Sequence, residues 1–243
     1  MNILDISNID INGDILLIDK PLRWTSFDVV NKLKYLIRQT FNLKKIKIGH
    51  TGTLDPLATG LLIVCVGKYT KEIPNIQSLQ KTYTGTFTLG ETTASYDLEK
   101  PIENRLPYEH ITLQDIKKAQ QTLTGEIEQI PPMFSALKIN GQKAYVKARQ
   151  EQILPMEARK VTIYQFKNTR VDLPEVDFEI TCSKGTYIRS IARDFGEILA
   201  CGAYLSALKR VAIGEYKLEN AFDFSPFVNS DRIHHGKKKD FEL

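Results

Sequence analysis

In the run GHTGTLDPLATG, Gly49 to Gly60, Asp55 is the single acid, and the apolar run LLIVCV follows directly. Aspartate before proline starts turns, and glycine supplies backbone angles that other residues resist. The same composition also makes a rigid loop at the end of a buried strand, a place where catalytic side chains are often held. Two other stretches join reactive residue types to tight turns. Lys81-Thr82-Tyr83 opens KTYTGTFTLG, and CSKGTYIRS puts Tyr187 and Arg189 at the start of a helix. A carboxylate beside a guanidinium stays ionised, because the neighbouring positive charge lowers its pKa. In that state it can act as nucleophile or base toward a sugar C1′ or an activated ring. Arg189 is the candidate partner for Asp55, through a bidentate grip. No second acid has a spacing that pairs it with Asp55, so the two-carboxylate pattern of glycoside hydrolysis is not seen. Taken singly, Arg189 reads as a helix-surface cation and Tyr83 as a sheet-core aromatic.

These residues need elements to position them. DILLID predicts a short strand ending at Lys20-Pro21, and TSFDVVNKLKYLIR predicts a helix. Thr25 and Asp28 have capping-box spacing there, and Val29, Val30, Leu33, Leu36 and Ile37 form its apolar stripe. The unbroken apolar run from Leu61 to Val66 predicts a strand covered on both faces. KTYTGTFTLG alternates, with Tyr83, Gly85, Phe87 and Leu89 on one face and threonines on the other. ETTASYDLEKPIENRLPYEH reads as a long polar loop, the kind that is functional or mobile. TLQDIKKAQQTLTG predicts a capped helix, and the following IPPMFSALKINGQKAYVKARQ turns at Asn140-Gly141 and ends as a basic helix. RKVTIYQF and EVDFEITCS predict two strands. A helix from about Thr186 to Leu199 then turns Ile188, Ile191, Ala192, Phe195 and Ile198 inward, and a last strand follows in YLSALKRVAI. Strands outnumber helices without βαβ alternation, so the expected fold class is α+β around a mainly antiparallel mixed sheet.

The chain has 243 residues and a formal charge of +4. It is long enough for one large domain or two small ones, and no apolar run is long enough to span a membrane. The polar, acidic N-terminus argues against a secretory signal. Cys65, Cys182 and Cys201 lack CxxC spacing, which suggests reduced thiols in a cytoplasmic protein. The histidines show no metal-binding spacing, so no metal is expected. Basic residues cluster from Lys32 to Lys47 and again around Lys138, Lys143 and Arg149, interleaved with Tyr35, Phe41 and Tyr145. That pattern suits phosphate contacts beside stacking surfaces and points to a nucleic acid.

The loop GHTGTLDPLATGLL closely resembles the signature of the TruB family, the tRNA pseudouridine-55 synthases. DKPLRWTSFDVV, KTYTGTFTLG, IPPMFSALKINGQKAYVKAR and CSKGTYIRSIARDFG resemble the family's other motifs, in the same order, from about Asp14 to Tyr216. The resemblance implies the pseudouridine synthase fold, with a catalytic cleft and no cofactor. It implies Asp55 as nucleophile or base, Tyr83 stacked on the target uracil and Arg189 paired with Asp55. His50 would help to hold the tRNA T-loop open, Lys20 and Pro21 would support the catalytic loop, and Tyr187 and Leu208 would line the pocket. Thr53, Lys138, Lys143 and Arg149 are expected to contact RNA. The expected organisation is a catalytic domain over 1–220, with an RNA-gripping insertion at about 125–155, and a short tail over 221–243. A small C-terminal PUA-like RNA-binding domain of many relatives is expected to be missing, with lower tRNA affinity as a result. The expected partner is the tRNA T-stem-loop, bound by a monomer that needs no protein partner. The competing reading is a tRNA-folding chaperone in which catalysis is secondary. Two positions depart from the family pattern: Arg23 stands where glycine is common, and Phe134 where tyrosine is usual.

Overall fold

The computed structural model describes residues 3–133, 138–139, 142–143 and 156–228. The chain forms two compact units, Met1–Pro74 with Lys217–Leu243, and Asn75–Tyr216. The border at Pro74 falls inside a short helix, α2 (Ile73–Ser78).

The first unit is built around β3 (Ala58–Gly67), buried along almost its whole length. β1 (Gly13–Lys20) lies antiparallel to it, from Gly13 opposite Gly67 to Lys20 opposite Gly60. β2 (Ile48–His50) is also antiparallel to β3, from Ile48 opposite Val66 to His50 opposite Val64. Helix α1 (Ser26–Thr40) starts at a complete Thr25/Asp28 capping box, as the spacing predicts. Its stripe of Val29, Val30, Leu33 and Ile37 packs on Leu16, Ile18, Leu62, Val64 and Val66 of the sheet. Removing such a face from water is the main source of stability for the unit. The residues just after 220, expected as a tail, add to this core. Phe222–Asp223 forms a short parallel strand beside β1, and Phe224 is fully buried with its ring edge-on to Trp24. Aromatic burial on this scale holds the segment down.

In the second unit, β4 (Lys81–Leu89) lies between β11 (Glu175–Cys182) and β12 (Ala203–Ile213), antiparallel to both. β10 (Arg159–Asp172) pairs antiparallel with β11 and with β7 (Gly125–Gln129). Phe87, Phe166, Phe178 and Phe195 form the aromatic centre, with Phe87 stacked on Phe178 at 4.2 Å. Helix α3 (Leu113–Thr122) has the predicted Thr112/Asp115 capping box. Helix α4 (Ile188–Ile198) buries Ile188, Ile191, Ala192 and Phe195. Ile198, expected inward, is instead 42% exposed, because it falls in the last turn beyond the buried stripe. The stretch read as a long loop holds a small hairpin, β5 (Glu91–Thr93) with β6 (Ile102–Arg105), and its turn is largely buried at Thr93, Ser95 and Asp97. β8 (Lys138–Ile139) and β9 (Gln142–Lys143) make the hairpin predicted at Asn140-Gly141. The α+β fold with a mainly antiparallel mixed sheet is as expected. Among the described residues, no helix is long and apolar enough to cross a membrane.

Candidate active site

Asp55 is half-buried in the turn that leads into β3, where its carbonyl accepts from Ala58 N–H at 3.1 Å. The loop is pinned from both sides. Ser26, at the start of α1 and 1% exposed, accepts from Leu54 N–H at 2.8 Å and donates to Leu54 C=O at 3.2 Å. On the other side, Arg23 N–H donates to Pro56 C=O at 2.8 Å. Thr51 N–H donates to Ile63 C=O at 3.0 Å, fastening the loop's entry to its own strand. Asp55 is therefore the side chain of a fixed turn rather than of a free loop tip.

The Lys20-Pro21 motif supplies the second layer. Lys20 Nζ is buried and donates to Pro21 C=O at 2.9 Å and Trp24 C=O at 2.5 Å, closing the turn Pro21–Trp24 around a charge. A buried ammonium is tolerated where carbonyl oxygens replace its water. Arg23 in this turn has φ 65°, in the left-handed region. That conformation costs a residue with a Cβ about 1–2 kcal/mol and costs glycine little. His50 ends β2, and its Nδ1 accepts from Gly52 N–H at 3.3 Å, which puts the proton of a neutral ring on Nε2. Thr53 is exposed on the same loop.

The second unit holds Tyr83, Tyr187, Arg189 and Leu208. Tyr83 is 9% exposed on β4, opposite Ile180 of β11 and the buried Arg210 of β12. Leu208 is half-buried opposite Gly85. A Cβ at Gly85 would lie 2.3 Å from Ala207 O and 2.7 Å from the Phe178 ring, so only glycine fits between these strands.

Arg189, which taken alone reads as a surface residue, is 3% exposed. Its Nε lies 3.6 Å from Asp97 Oδ2, and its Nη1 donates to Ser95 C=O at 3.3 Å. Asp97 is itself 4% exposed. Thr93 Oγ1 and Ser95 Oγ donate to the Asp97 carbonyl at 2.7 and 3.1 Å, and Glu99 N–H donates to its Oδ1 at 3.0 Å. One helical turn beyond Arg189, the Arg193 guanidinium lies 5.2 Å from the centre of the Tyr96 ring. Two arginines of one helix face thus hold one loop. Tyr187, the residue before the helix, is fixed by Gln129: its N–H donates to Gln129 Oε1 at 2.8 Å and its C=O accepts from Nε2 at 3.2 Å. Ser190 Oγ donates to Ile130 C=O at 2.8 Å.

The structure thus gathers Lys20, Pro21, His50, Thr53 and Asp55 in the first unit, around the turn that bears the acid. Tyr83 and Leu208 lie on neighbouring strands of the second, and Tyr187 and Arg189 at one helix start. Lys138 and Lys143 lie on the small hairpin, described in backbone only; Arg149 and Phe134 lie outside the described residues. Asp97, Ser26 and Gln129 are missed by the sequence reading. For Asp97 the available signal is an acid two residues after TTAS, a run of hydroxyls able to cap its carbonyl. Burial pushes the Cys65 and Cys182 thiols up to about 11, which leaves them poor nucleophiles. Among the described residues, no cluster of His, Cys, Asp or Glu could hold a metal ion.

This α+β architecture is that of the pseudouridylate synthases. The crystal structure of a Cbf5-Nop10-Gar1 complex superposes with a TM-score of 0.65 at 25% identity, covering 91% of this chain and 55% of that one. The chain therefore spans about half of that structural relative. Residues 38–188 match the TruB family pseudouridylate synthase N-terminal domain. The chain is 52% identical over 221 residues to tRNA pseudouridine synthase B of Flavobacterium johnsoniae, covering 90% of this chain and 96% of that protein. It is 48% identical over 215 residues to the protein of the same name in Phocaeicola vulgatus, covering 88% and 92%. The chain belongs to the TruB family.

Proposed function

We propose that this chain isomerises uridine 55 in the T-loop of tRNA to pseudouridine, with Asp55 as the nucleophile or base. The observation that carries the reading is the acid itself: the only carboxylate of a family-specific loop, on a turn pinned through Leu54 and Pro56. The target nucleotide must leave the stack before its glycosidic bond can be reached, which costs a few kcal/mol. Basic segments offset that cost at the phosphates, and Tyr83 receives the extruded base. Arg189 serves as charge partner of Asp55, with Asp97 fixing the guanidinium. His50 fills the space that the flipped nucleotide leaves, and Tyr187 and Leu208 line the pocket. The N1–C1′ bond breaks, the uracil turns, and C5–C1′ forms. C5 loses its proton to solvent and N1 gains one, so the product is an isomer.

A single carboxylate can enter this sequence by attack on C1′, by addition to the ring, or by removing a C2′ proton to give a glycal. A primary isotope effect with deuterium at C2′ identifies the last route. The proposed setting is a cytoplasmic monomer acting on tRNA, and the buried free thiols at Cys65, Cys182 and Cys201 support a reducing compartment. The direct test is tritium release from tRNA carrying 5-tritiated uridine, with the modified position mapped on the product. Wild-type protein is expected to release label and modify position 55, and Asp55→Asn to do neither while still binding tRNA. Label release by Asp55→Asn at the wild-type rate would overturn the assignment.

A further inference from the structure

Arg23 occupies a backbone position that suits glycine, and it does so beside the catalytic loop. Its φ of 65° disfavours any side chain, yet the turn holding it is fixed. Lys20 Nζ ties Pro21 to Trp24 from below, and Arg23 N–H is bonded to the carbonyl of the residue after Asp55. The side chain itself is exposed, and no hydrogen bond or ion pair engages its guanidinium among the described residues. Of the two acids nearest in sequence, Asp19 lies in β1 and Asp28 is occupied: its Oδ2 accepts from Thr25 N–H at 2.9 Å and from Thr25 Oγ1 at 2.6 Å. Two apolar side chains close to Arg23 in sequence are also exposed, Leu22 at 53% and Phe27 at 66%. Strain of this kind persists where the surroundings enforce it, typically at functional sites. A cation exposed on a rigid turn and an aromatic ring exposed in the first turn of the helix that follows are what a nucleic-acid backbone with an unstacked base would engage.

We infer that Arg23 binds a phosphate of the tRNA substrate next to the Asp55 turn, with Phe27 as an adjoining stacking surface. The inference rests on the proposed tRNA substrate and adds a contact that glycine at this position is unable to make. The left-handed backbone and the cation act in opposite directions on stability and binding, and this makes them separable.

The experiment measures tRNA binding across a salt series, together with thermal melting, for wild type, Arg23→Gly, Arg23→Ala and Arg23→Lys. Lys160→Gln serves as a charge control, because it removes one cation that is already paired with Glu126. Arg23→Gly is expected to melt about 2–4 °C higher through relief of strain, yet to bind tRNA about tenfold more weakly. Its slope of log affinity against log salt should be smaller by about 0.7–0.9, the signature of one lost phosphate contact. Arg23→Ala should lose the same slope without the gain in melting temperature, and Arg23→Lys should keep the slope. Lys160→Gln should leave it unchanged. Phe27→Ala should weaken binding without altering the slope. If Arg23→Gly binds like wild type with an unchanged slope, Arg23 is not a phosphate contact. If wild-type protein releases no tritium from tRNA, the functional reading fails instead, and the inference with it.

Discussion

Two loops of this chain, those of Asp55 and Asp97, are fastened by different means. The Asp55 turn is held by neutral hydrogen bonds: Ser26 to both backbone groups of Leu54, and Arg23 N–H to the Pro56 carbonyl. Its acid is half-buried. The Asp97 loop is held by charge. Arg189 approaches both the Asp97 carboxylate and the Ser95 carbonyl, and Arg193 covers Tyr96, itself at φ 61°. The contrast separates the acid proposed for chemistry from an acid used as structure. A buried ion pair contributes little net stability when intact, but removing one member leaves an uncompensated charge.

Substitutions at the two acids should therefore diverge. Asp55→Asn is expected to lower the rate of pseudouridine formation by at least about three orders of magnitude. Its urea-unfolding midpoint should fall less than that of Asp97→Asn, because Asp55 is only half-buried and Arg189 keeps Asp97. Asp97→Asn should do the reverse in stability, losing about 3–5 kcal/mol by urea unfolding as a buried charge packed against the Arg189 guanidinium is removed. Equal stability of Asp97→Asn and wild type would erase the distinction between the loops. Ser26→Ala tests the neutral fastening. Leaving Leu54 N–H unsatisfied in a buried site should cost about 2 kcal/mol and loosen the Asp55 turn, seen as faster amide exchange at Leu54 and a several-fold slower reaction. The smallest effect is expected at Arg170, which bridges Asp172, Glu175 and Asp177 on the exposed β10–β11 turn. Arg170→Gln should melt indistinguishably from wild type, because exposed charge networks are screened by solvent and salt.

The difference between the loops also explains what was readable beforehand. The Asp55 loop declares itself through glycine, proline and an abrupt apolar strand, because its geometry is local to the backbone. The capping boxes at Thr25 and Thr112 and the alternation of β4 are equally local. The Asp97 loop is made by residues from Arg189, about ninety positions away, so its polar composition looks like solvent exposure. Ser26 shows the same blindness at shorter range: its hydroxyl reads as an ordinary helix-start residue, although it bonds a loop 28 positions on. Arg189 misleads for the matching reason, since a cation in an isolated helix turn carries no sign of the acid that buries it. Ile198 fails differently, because helical spacing alone does not say where the neighbouring surface ends.

Gln129 joins two parts of the second unit through a single amide. It gives a hydrogen to the Tyr187 carbonyl and takes one from the Tyr187 N–H. Ile130, the next residue, accepts from Ser190 on the following helix. The stretch that departs beyond Ile130 therefore leaves from a root bolted to the helix that bears Arg189. Glutamate at position 129 would keep the shape but lose the hydrogen it offers, and two facing oxygens would push that root away from the helix.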